Sequence, residues 1–247
     1  MTMQANSQQD ESRSPRYYRI YQALLTDIQH GSLKPGDVLP SEMNIAQSHG
    51  VAPGTARKAV DMLVDRGWVE RQHGKGTFVR RADFSHSLAR FFRLTDREGV
   101  QLHPKSELLG VREVPGSAKI CRHLEVAENS ELIEIERVRR VDEMPLLHEV
   151  IYLSRARFHP LLDLPPEEWG DLLYPLYEQV CGEVVFRATD TLSAGPAPEG
   201  PARHLGLGAG ELVIEITRLA RGYDERPLEW RLSRGRLDWF HYSFDIR

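Results

Sequence analysis

Residues 31–79 read GSLKPGDVLPSEMNIAQSHGVAPGTARKAVDMLVDRGWVERQHGKGTFV, and the order of turns, caps and apolar residues in this stretch decides the fold. Lys34-Pro35-Gly36-Asp37 is a turn signal ahead of Leu39-Pro40-Ser41, where the Ser41 hydroxyl is placed to accept from a free backbone N–H of a first helical turn. A short helix is predicted from Glu42 to about Ser48, closed by His49-Gly50. A second starts near Pro53, a residue tolerated in a first turn because its missing N–H has no partner there, and Gly67 stops it. Ala56, Ala59, Val60, Leu63 and Val64 fall on one face at helical spacing, leaving Gly54, Lys58, Asp61 and Asp65 opposite. Thr55, Arg57 and Lys58 crowd the N-terminal end, whereas Asp61 and Asp65 sit where phosphate would repel them, so only the first turns suit a major groove.

Working outward, Trp68 to Gln72 and Thr77 to Arg81 read as two strands joined by His73-Gly74-Lys75-Gly76, whose glycines permit a tight turn and close approach of backbone to phosphate. Upstream, Tyr17, Ile20, Tyr21, Leu24, Leu25 and Ile28 form a helical stripe that packs on the two later helices. With LKPGDVLPSE, GVAPGTARKAV, GW-E and HGKGTFV in order, residues 17–81 resemble the winged helix-turn-helix of the GntR family of bacterial transcription regulators. The resemblance implies DNA contacts at Ser41, Glu42, Gly54, Thr55, Arg57, Lys58, His73, Gly74, Lys75, Gly76 and Thr77. Met43, Ala52 and Pro53 depart from the family pattern at an arginine, a capping serine and a base-reading arginine, and those contacts do not carry over. Sequence choice then falls on Thr55, Arg57 and the wing, with some readout through DNA shape. For Glu42 a second reading stays open, that it merely favours its helix N-terminus.

The chain has 247 residues, of which 40% are hydrophobic, enough for a small domain and a larger one with a core each. Its net charge of −4 would oppose DNA binding were it uniform, but residues 1–82 hold 11 Lys/Arg against 8 Asp/Glu, a net of +3 that leaves −7 for the rest. The phosphate-binding work therefore belongs to the N-terminal part, and local placement of charge has to supply the affinity. Cys121 and Cys181 show neither metal spacing nor close pairing, and no apolar leader or membrane span is present, so a reduced cytoplasmic setting without membrane contact is expected. Residues 1–14 are polar and expected to be disordered. Residues 83–103, with Phe84, Phe91, Phe92 and Leu94 among polar residues, read as a linker with a short helix.

The remainder repeats itself. Cys121-Arg122-His123-Leu124 corresponds to Ala202-Arg203-His204-Leu205, and Ile133 to Arg137 to Ile214 to Arg218, both at a spacing of 81. Asp142 to Leu146 matches Asp224 to Leu228 at 82. Each copy reads as a short helix, a strand, a tight turn and a strand, a unit that closes with its duplicate into one antiparallel sheet. With LLGVREVPGSAKICRHLEV, LIEIERVRRVDEMPLLHEVIYLS and PLEWRLSRGRLDWFHYSFDI, residues 104–246 resemble the UTRA effector domain of the HutC branch of the GntR family. The expected class is thus α+β: a winged helix-turn-helix domain over 15–82, then a chorismate-lyase-like UTRA domain over 104–247 that senses a small molecule.

Strand alternation puts Ile133, Ile135, Arg137, Arg139 and Val141 on one face, and Glu149 with Leu147, Ile151 and Leu153 on the next strand. Buried guanidinium groups need partners, either acidic side chains, for which Glu149 is placed, or an anionic ligand, and the residues leave both open. The resemblance implies effector contacts at Arg137, Arg139 and Glu149, and adds Ser233 and Arg236; Ile151 departs from a small polar residue of the family. Arg187, in a strand from Glu183 to Ser193 whose buried set is Val184, Phe186 and Ala188, is a further candidate. Trp169, Leu172, Leu173, Leu176, Tyr177 and Val180 are assigned to a covering helix interrupted by Pro175, and Trp239, Phe240, Tyr242 and Phe244 to core.

The function expected is a homodimeric DNA-binding regulator, a repressor, that reads a two-fold operator and responds to a small anionic metabolite. Two rivals remain: an enzyme on the chorismate-lyase-like fold, and a regulator without a ligand. The sequence shows no nucleophile elbow, no metal-ligand set and no phosphate-binding glycine loop, and calls for no cofactor. The nearest acid/base pair, His148 beside Glu149, is split by alternation onto opposite faces.

Overall fold

Pro15 precedes the first helix, α1 (Arg16–Gln29), whose buried residues Ile20, Tyr21, Leu24 and Ile28 are the sequence stripe, with Tyr17 and Leu25 only partly covered. The computed structural model describes residues 14–81 and 104–237, which divide after Arg81 into two compact units. Residues 1–13 of the expected tail over 1–14, the linker 83–103 with its helix, and Trp239, Phe240, Tyr242 and Phe244 lie outside the described residues.

In the N-terminal unit, α2 (Glu42–Ser48) is capped by Ser41, whose hydroxyl accepts from Asn44 N at 3.1 Å. Helix α3 (Pro53–Asp65) has Pro53 in its first turn and buries Ala56, Ala59, Val60 and Leu63 against α1 and α2. Tyr21 ties α1 to the end of α3, its hydroxyl accepting from Arg66 Nη1 at 3.0 Å. Strands β1 (Val69–Gln72) and β2 (Gly76–Val79) pair antiparallel as the wing, β1 one residue and β2 two residues shorter at the outer end than the sequence indicates, with β2 starting one residue earlier. The wing is anchored on its far side too: Leu39 N donates to Thr77 O at 2.7 Å and Val79 N to Asp37 O at 2.8 Å. Gly74 at φ 72° and Gly76 at φ 133° turn the hairpin through conformations that L side chains rarely adopt.

The C-terminal unit is a six-stranded antiparallel sheet in the order β3-β4-β5-β8-β7-β6. Its elements are β3 (Lys105–Pro115), α4 (Ala118–Leu124), β4 (Glu131–Val141), β5 (Met144–Ser154) and the single turn α5 (Arg155–Phe158). After two 3-10 turns come α6 (Leu173–Leu176) with a π-turn at Tyr177–Cys181, then β6 (Val185–Pro196), α7 (Glu199–Leu205), β7 (Leu212–Gly222) and β8 (Pro227–Arg236). The duplication is present, and each copy is larger than the repeat shows, because an edge strand, β3 or β6, precedes each helix. Strands β5 and β8 meet at the centre, and the helices cross over: α4 packs mainly on β8, and α7 mainly on β5.

One face carries α4 and α7 over Leu132, Trp230 and Val213. The other is covered by the segment from Phe158 to Cys181, whose Phe158, Leu161, Trp169, Leu173 and Tyr177 pack on Ile133, Ile135, Ile151 and Leu153. The single helix expected from Trp169 to Val180 is not formed: Trp169 ends a 3-10 turn and α6 begins only at Leu173. Pro175 therefore sits in a first turn, where its missing N–H has no intrahelical partner, and does not interrupt a helix. At the start of α4 the chain passes so close to its neighbours that a Cβ on Gly116 would lie 2.4 Å from Cys121 Sγ and 2.9 Å from Leu132 Cδ1.

Candidate functional site

Two sites take shape, one in each unit. In the N-terminal unit, Ser41, Gly54, Arg57, Lys58, His73, Gly74, Lys75 and Gly76 are exposed, and Glu42, Thr55 and Thr77 partly so. They belong to the start of α2, the start of α3 and the wing. Nothing lies within 4 Å of a Cβ built on Gly54, so the backbone there is open to a ligand's approach. Glu42 does more than favour its helix end. Its carboxylate accepts from Arg57 Nε at 2.8 Å and from Arg71 Nη2 at 2.9 Å, and Arg71 reaches on to Asp61 at 2.6 Å. This network joins α2, α3 and β1, and Arg71 is a member that sequence reasoning missed, since only the packed tertiary structure brings it to Glu42. As exposed pairs these bonds add little stability, but they fix where Arg57 stands. Lys58 lies over the Tyr17 ring with its Nζ 4.0 Å from the centroid.

In the C-terminal unit, the face covered by the Phe158–Cys181 segment holds a buried charge network. Arg137 donates from Nε to Glu149 at 2.6 Å across the β4–β5 pair. Glu149 also accepts from Arg231 Nη1 at 3.2 Å and from Ser233 Oγ at 2.9 Å on the neighbouring β8. Burial by itself would raise the Glu149 pKa; Arg137, Arg231 and Arg139 outweigh it and hold the carboxyl well below the ordinary range. Arg231 further forks onto Glu229 at 2.9 and 3.0 Å, and Tyr177 donates to Glu229 at 2.8 Å. Beyond them Arg218 clamps Asp190 at 2.7 and 2.6 Å. The strand signal for this second half was the alternation Glu229, Arg231, Ser233, which repeats the spacing of Arg137 and Arg139.

Arg139 stands apart from these pairs. It is 2% exposed, yet its hydrogen bonds go to neutral oxygens: Ser106 Oγ at 2.8 Å, Pro104 O at 2.7 Å and the carbonyl of Asp171. Its Nε is buried with no hydrogen-bond partner among the described residues. Burial and the neighbouring Arg137 push its pKa down to about 10. On this face Arg137, Arg139, Arg218 and Arg231 face Glu149, Glu229 and Asp190 inside the domain, four cations to three anions among the described residues. A cavity of about 260 Å³ adjoins the surplus, walled by Arg137, Ser106, Leu108, Trp169, Asp171 and Leu173.

Two of the proposed effector residues fall elsewhere. A register shift between Val185 and Arg187 leaves Val185 buried and turns Arg187 outward, 55% exposed in its side chain and paired with Glu225, so it lies on the face opposite Asp190. Of the buried set expected there, Ala188 does pack on the core beside Val185, whereas Val184 and Phe186 are only half-buried. Arg236 is three residues from Ser233, so alternation sends it to the helix-bearing face, where Nη1 donates to Leu205 O at 3.2 Å. His148 and Glu149 are on opposite faces: Nε2 of His148 contacts Glu136 Oε1 at 2.8 Å, and burial outweighs that carboxylate to lower its pKa. No helix of the described residues is long and apolar enough to cross a membrane.

Comparison with known proteins agrees with this division. Residues 16–79 match the family described as bacterial regulatory proteins, gntR family, and residues 100–241 match the UTRA domain. The HTH-type transcriptional regulator SmoD of Agrobacterium fabrum is 30% identical over 210 residues, covering 85% of this chain and 87% of its own. The HTH-type transcriptional repressor NagR of Bacillus subtilis is 28% identical, covering 84% and 85%. Among solved structures, the ligand-binding domain of a GntR-family transcriptional regulator from Bordetella bronchiseptica is 27% identical with a TM-score of 0.56, covering 64% of this chain and 98% of that one.

Proposed function

The chain belongs to the GntR family of bacterial regulatory proteins, in its HutC branch with a C-terminal UTRA domain, as a transcriptional regulator and not an enzyme, and from that premise we propose that it is a repressor released from DNA by a small anionic metabolite. The observation that carries the ligand's charge is Arg139, a buried guanidinium bonded to neutral oxygens of Pro104, Ser106 and Asp171, the last two being residues of the cavity wall. A carboxylate or phosphate entering there would complete the charge balance, which an uncharged molecule cannot do. Glu167 and Asp171, also on the cavity wall, then suit hydroxyl or amino groups on the same ligand.

The reader would be the first turn of α3 together with the wing, with Arg57 and Lys75 on phosphates and Thr55 and Arg57 nearest the base edges. Two copies in a homodimer would read a two-fold operator. The similarity to NagR, named a repressor, supports the sign of regulation. The ligand acts only through its different affinity for the DNA-competent and incompetent states, and a coupling of about 1 to 3 kcal/mol gives roughly 5- to 150-fold in operator affinity.

The test is a gel-shift titration of the purified protein on its own promoter fragment, with sugar phosphates, carboxylates and their neutral analogues added in turn. Release by an anion, and not by its neutral analogue, is expected. Failure to bind the fragment at low ionic strength would overturn the DNA-binding part. Release by the neutral analogues alone would overturn the anionic part.

A further inference from the structure

The helix-bearing face of the sheet carries a second polar group. Glu136 on β4, His148 on β5 and His204 on α7 bring one donor atom each to within 4.8 Å of one another. The rings of His148 and His204 are stacked with centroids 5.3 Å apart. With Nε2 of His148 against Glu136, its Nδ1 is buried and has no hydrogen-bond partner among the described residues. Glu136, whose side chain is 31% exposed, leaves a way in from solvent.

The duplication supplies a comparison inside the same molecule. At the repeat spacing of 81 to 82, His123 takes the place of His204, Thr217 that of Glu136 and Trp230 that of His148. In that sister position the helix histidine stacks on the indole, His123 on Trp230 at 5.6 Å between centroids. The same helix-over-sheet contact is thus made there with an apolar ring and no carboxylate. A buried imidazole with an orphan nitrogen carries a desolvation cost that the packing of helix on sheet does not require.

We propose that Glu136, His148 and His204 bind a divalent transition-metal ion of the zinc, nickel and copper class. Imidazole nitrogens suit these ions, which accept a carboxylate oxygen as a third ligand and water beyond it, at bonds of about 2.0–2.2 Å. The ion takes the place of the proton between His148 Nε2 and Glu136, and that proton passes to Nδ1, so the imidazole binds as a neutral ligand. Arg234, opposite His148 on β8, is the nearby positive side chain that opposes this, and Glu215 neutralises it at 2.7 Å. Because His204 belongs to one copy of the repeat and Glu136 and His148 to the other, the ion ties α7 to the first hairpin across the central seam.

The test uses the full-length protein stripped of metal by a chelator and titrated with zinc alone by calorimetry, with thermal unfolding measured in parallel. One saturable ion per chain is expected, with a raised unfolding temperature. His204 is half-buried on a helix surface, so His204→Ala is the variant least threatening to the fold, and circular dichroism checks it. It should weaken zinc binding by more than the roughly 10- to 100-fold that loss of a mere outer-shell partner causes. His123→Ala, in the sister position, should leave zinc binding unchanged. Undiminished binding in His204→Ala, or no saturable binding by the parent protein at submillimolar zinc, overturns the proposal.

Discussion

Arg139→Met and Glu149→Gln remove charges from the same buried network, and they should move stability in very different amounts. Burial and the neighbouring Arg137 hold the Arg139 pKa down to about 10, below the ordinary value of an exposed guanidinium. A depression of that size makes the charged form cost about 3 kcal/mol at neutral pH. The sign follows: the penalty is complete below pH 10 and is relieved only as pH rises through that value. Methionine removes it while keeping most of the volume, and gives up hydrogen bonds to Ser106, Pro104 and Asp171 at about 1 kcal/mol each. The two nearly cancel, so Arg139→Met should stay within about 1–2 kcal/mol of the parent. Glu149→Gln leaves Arg137 and Arg231 facing a neutral amide, and breaking a buried pair from one side costs about 3–5 kcal/mol. At about 2–4 °C per kcal/mol for a domain of this size, the C-terminal unit should unfold roughly 6–20 °C lower. Differential scanning calorimetry of both variants decides the matter, and the same Arg139→Met preparation should no longer be released from DNA by anions. If Arg139→Met melts as far below the parent as Glu149→Gln, then Arg139 is already balanced by charge and the surplus-cation argument fails.

Arg57→Ala should weaken operator binding and lower the slope of log affinity against log salt by about 0.9 if one phosphate contact is lost; an unchanged slope and affinity in a fluorescence titration remove Arg57 from the interface. Because the Glu149 carboxyl is held below its ordinary value of 4.5, its share of stability is complete above that pH and drains away as pH falls below it. Acid unfolding followed by fluorescence should therefore show a steeper decline below about pH 4.5 in the parent than in Glu149→Gln. Gly116→Ala drives a methyl against Cys121 and Leu132 and should cost about 1–3 kcal/mol in urea unfolding, with no effect on the DNA-binding unit's own transition.

What the sequence revealed and what it hid follow from the range of the interactions. Ser41, Pro53 and the glycines of the wing act on backbone within a few residues, so α2, α3 and the hairpin were legible with nearly correct ends. The Arg137–Glu149 bond was legible as one of two alternatives, because both residues lie on strands joined by a tight turn and alternation aligns them. Arg71 reaches Glu42 across 29 residues, and no local pattern announces that contact. The Arg218–Asp190 clamp and the Glu229 fork depend on the register of β6, β7 and β8, which the repeat alone did not fix. Arg236 is a different kind of miss: its odd separation from Ser233 was enough to separate the two, and the family pattern overrode it. Arg187 turned on a bulge that is visible only once β6 has paired.

The crossing of the two helices has a consequence for how the sensor domain comes into being. Since α4 rests mainly on β8 and α7 mainly on β5, each half holds only part of the seat for its own helix. During synthesis the first half leaves the ribosome with β5 bare along one side and α4 only partly covered, and it stays so until β8, the last of the described strands, has emerged. Assembly is therefore a single late event, and a messenger cut short anywhere before Pro227 yields material for proteases and aggregation, not a half-strength receptor.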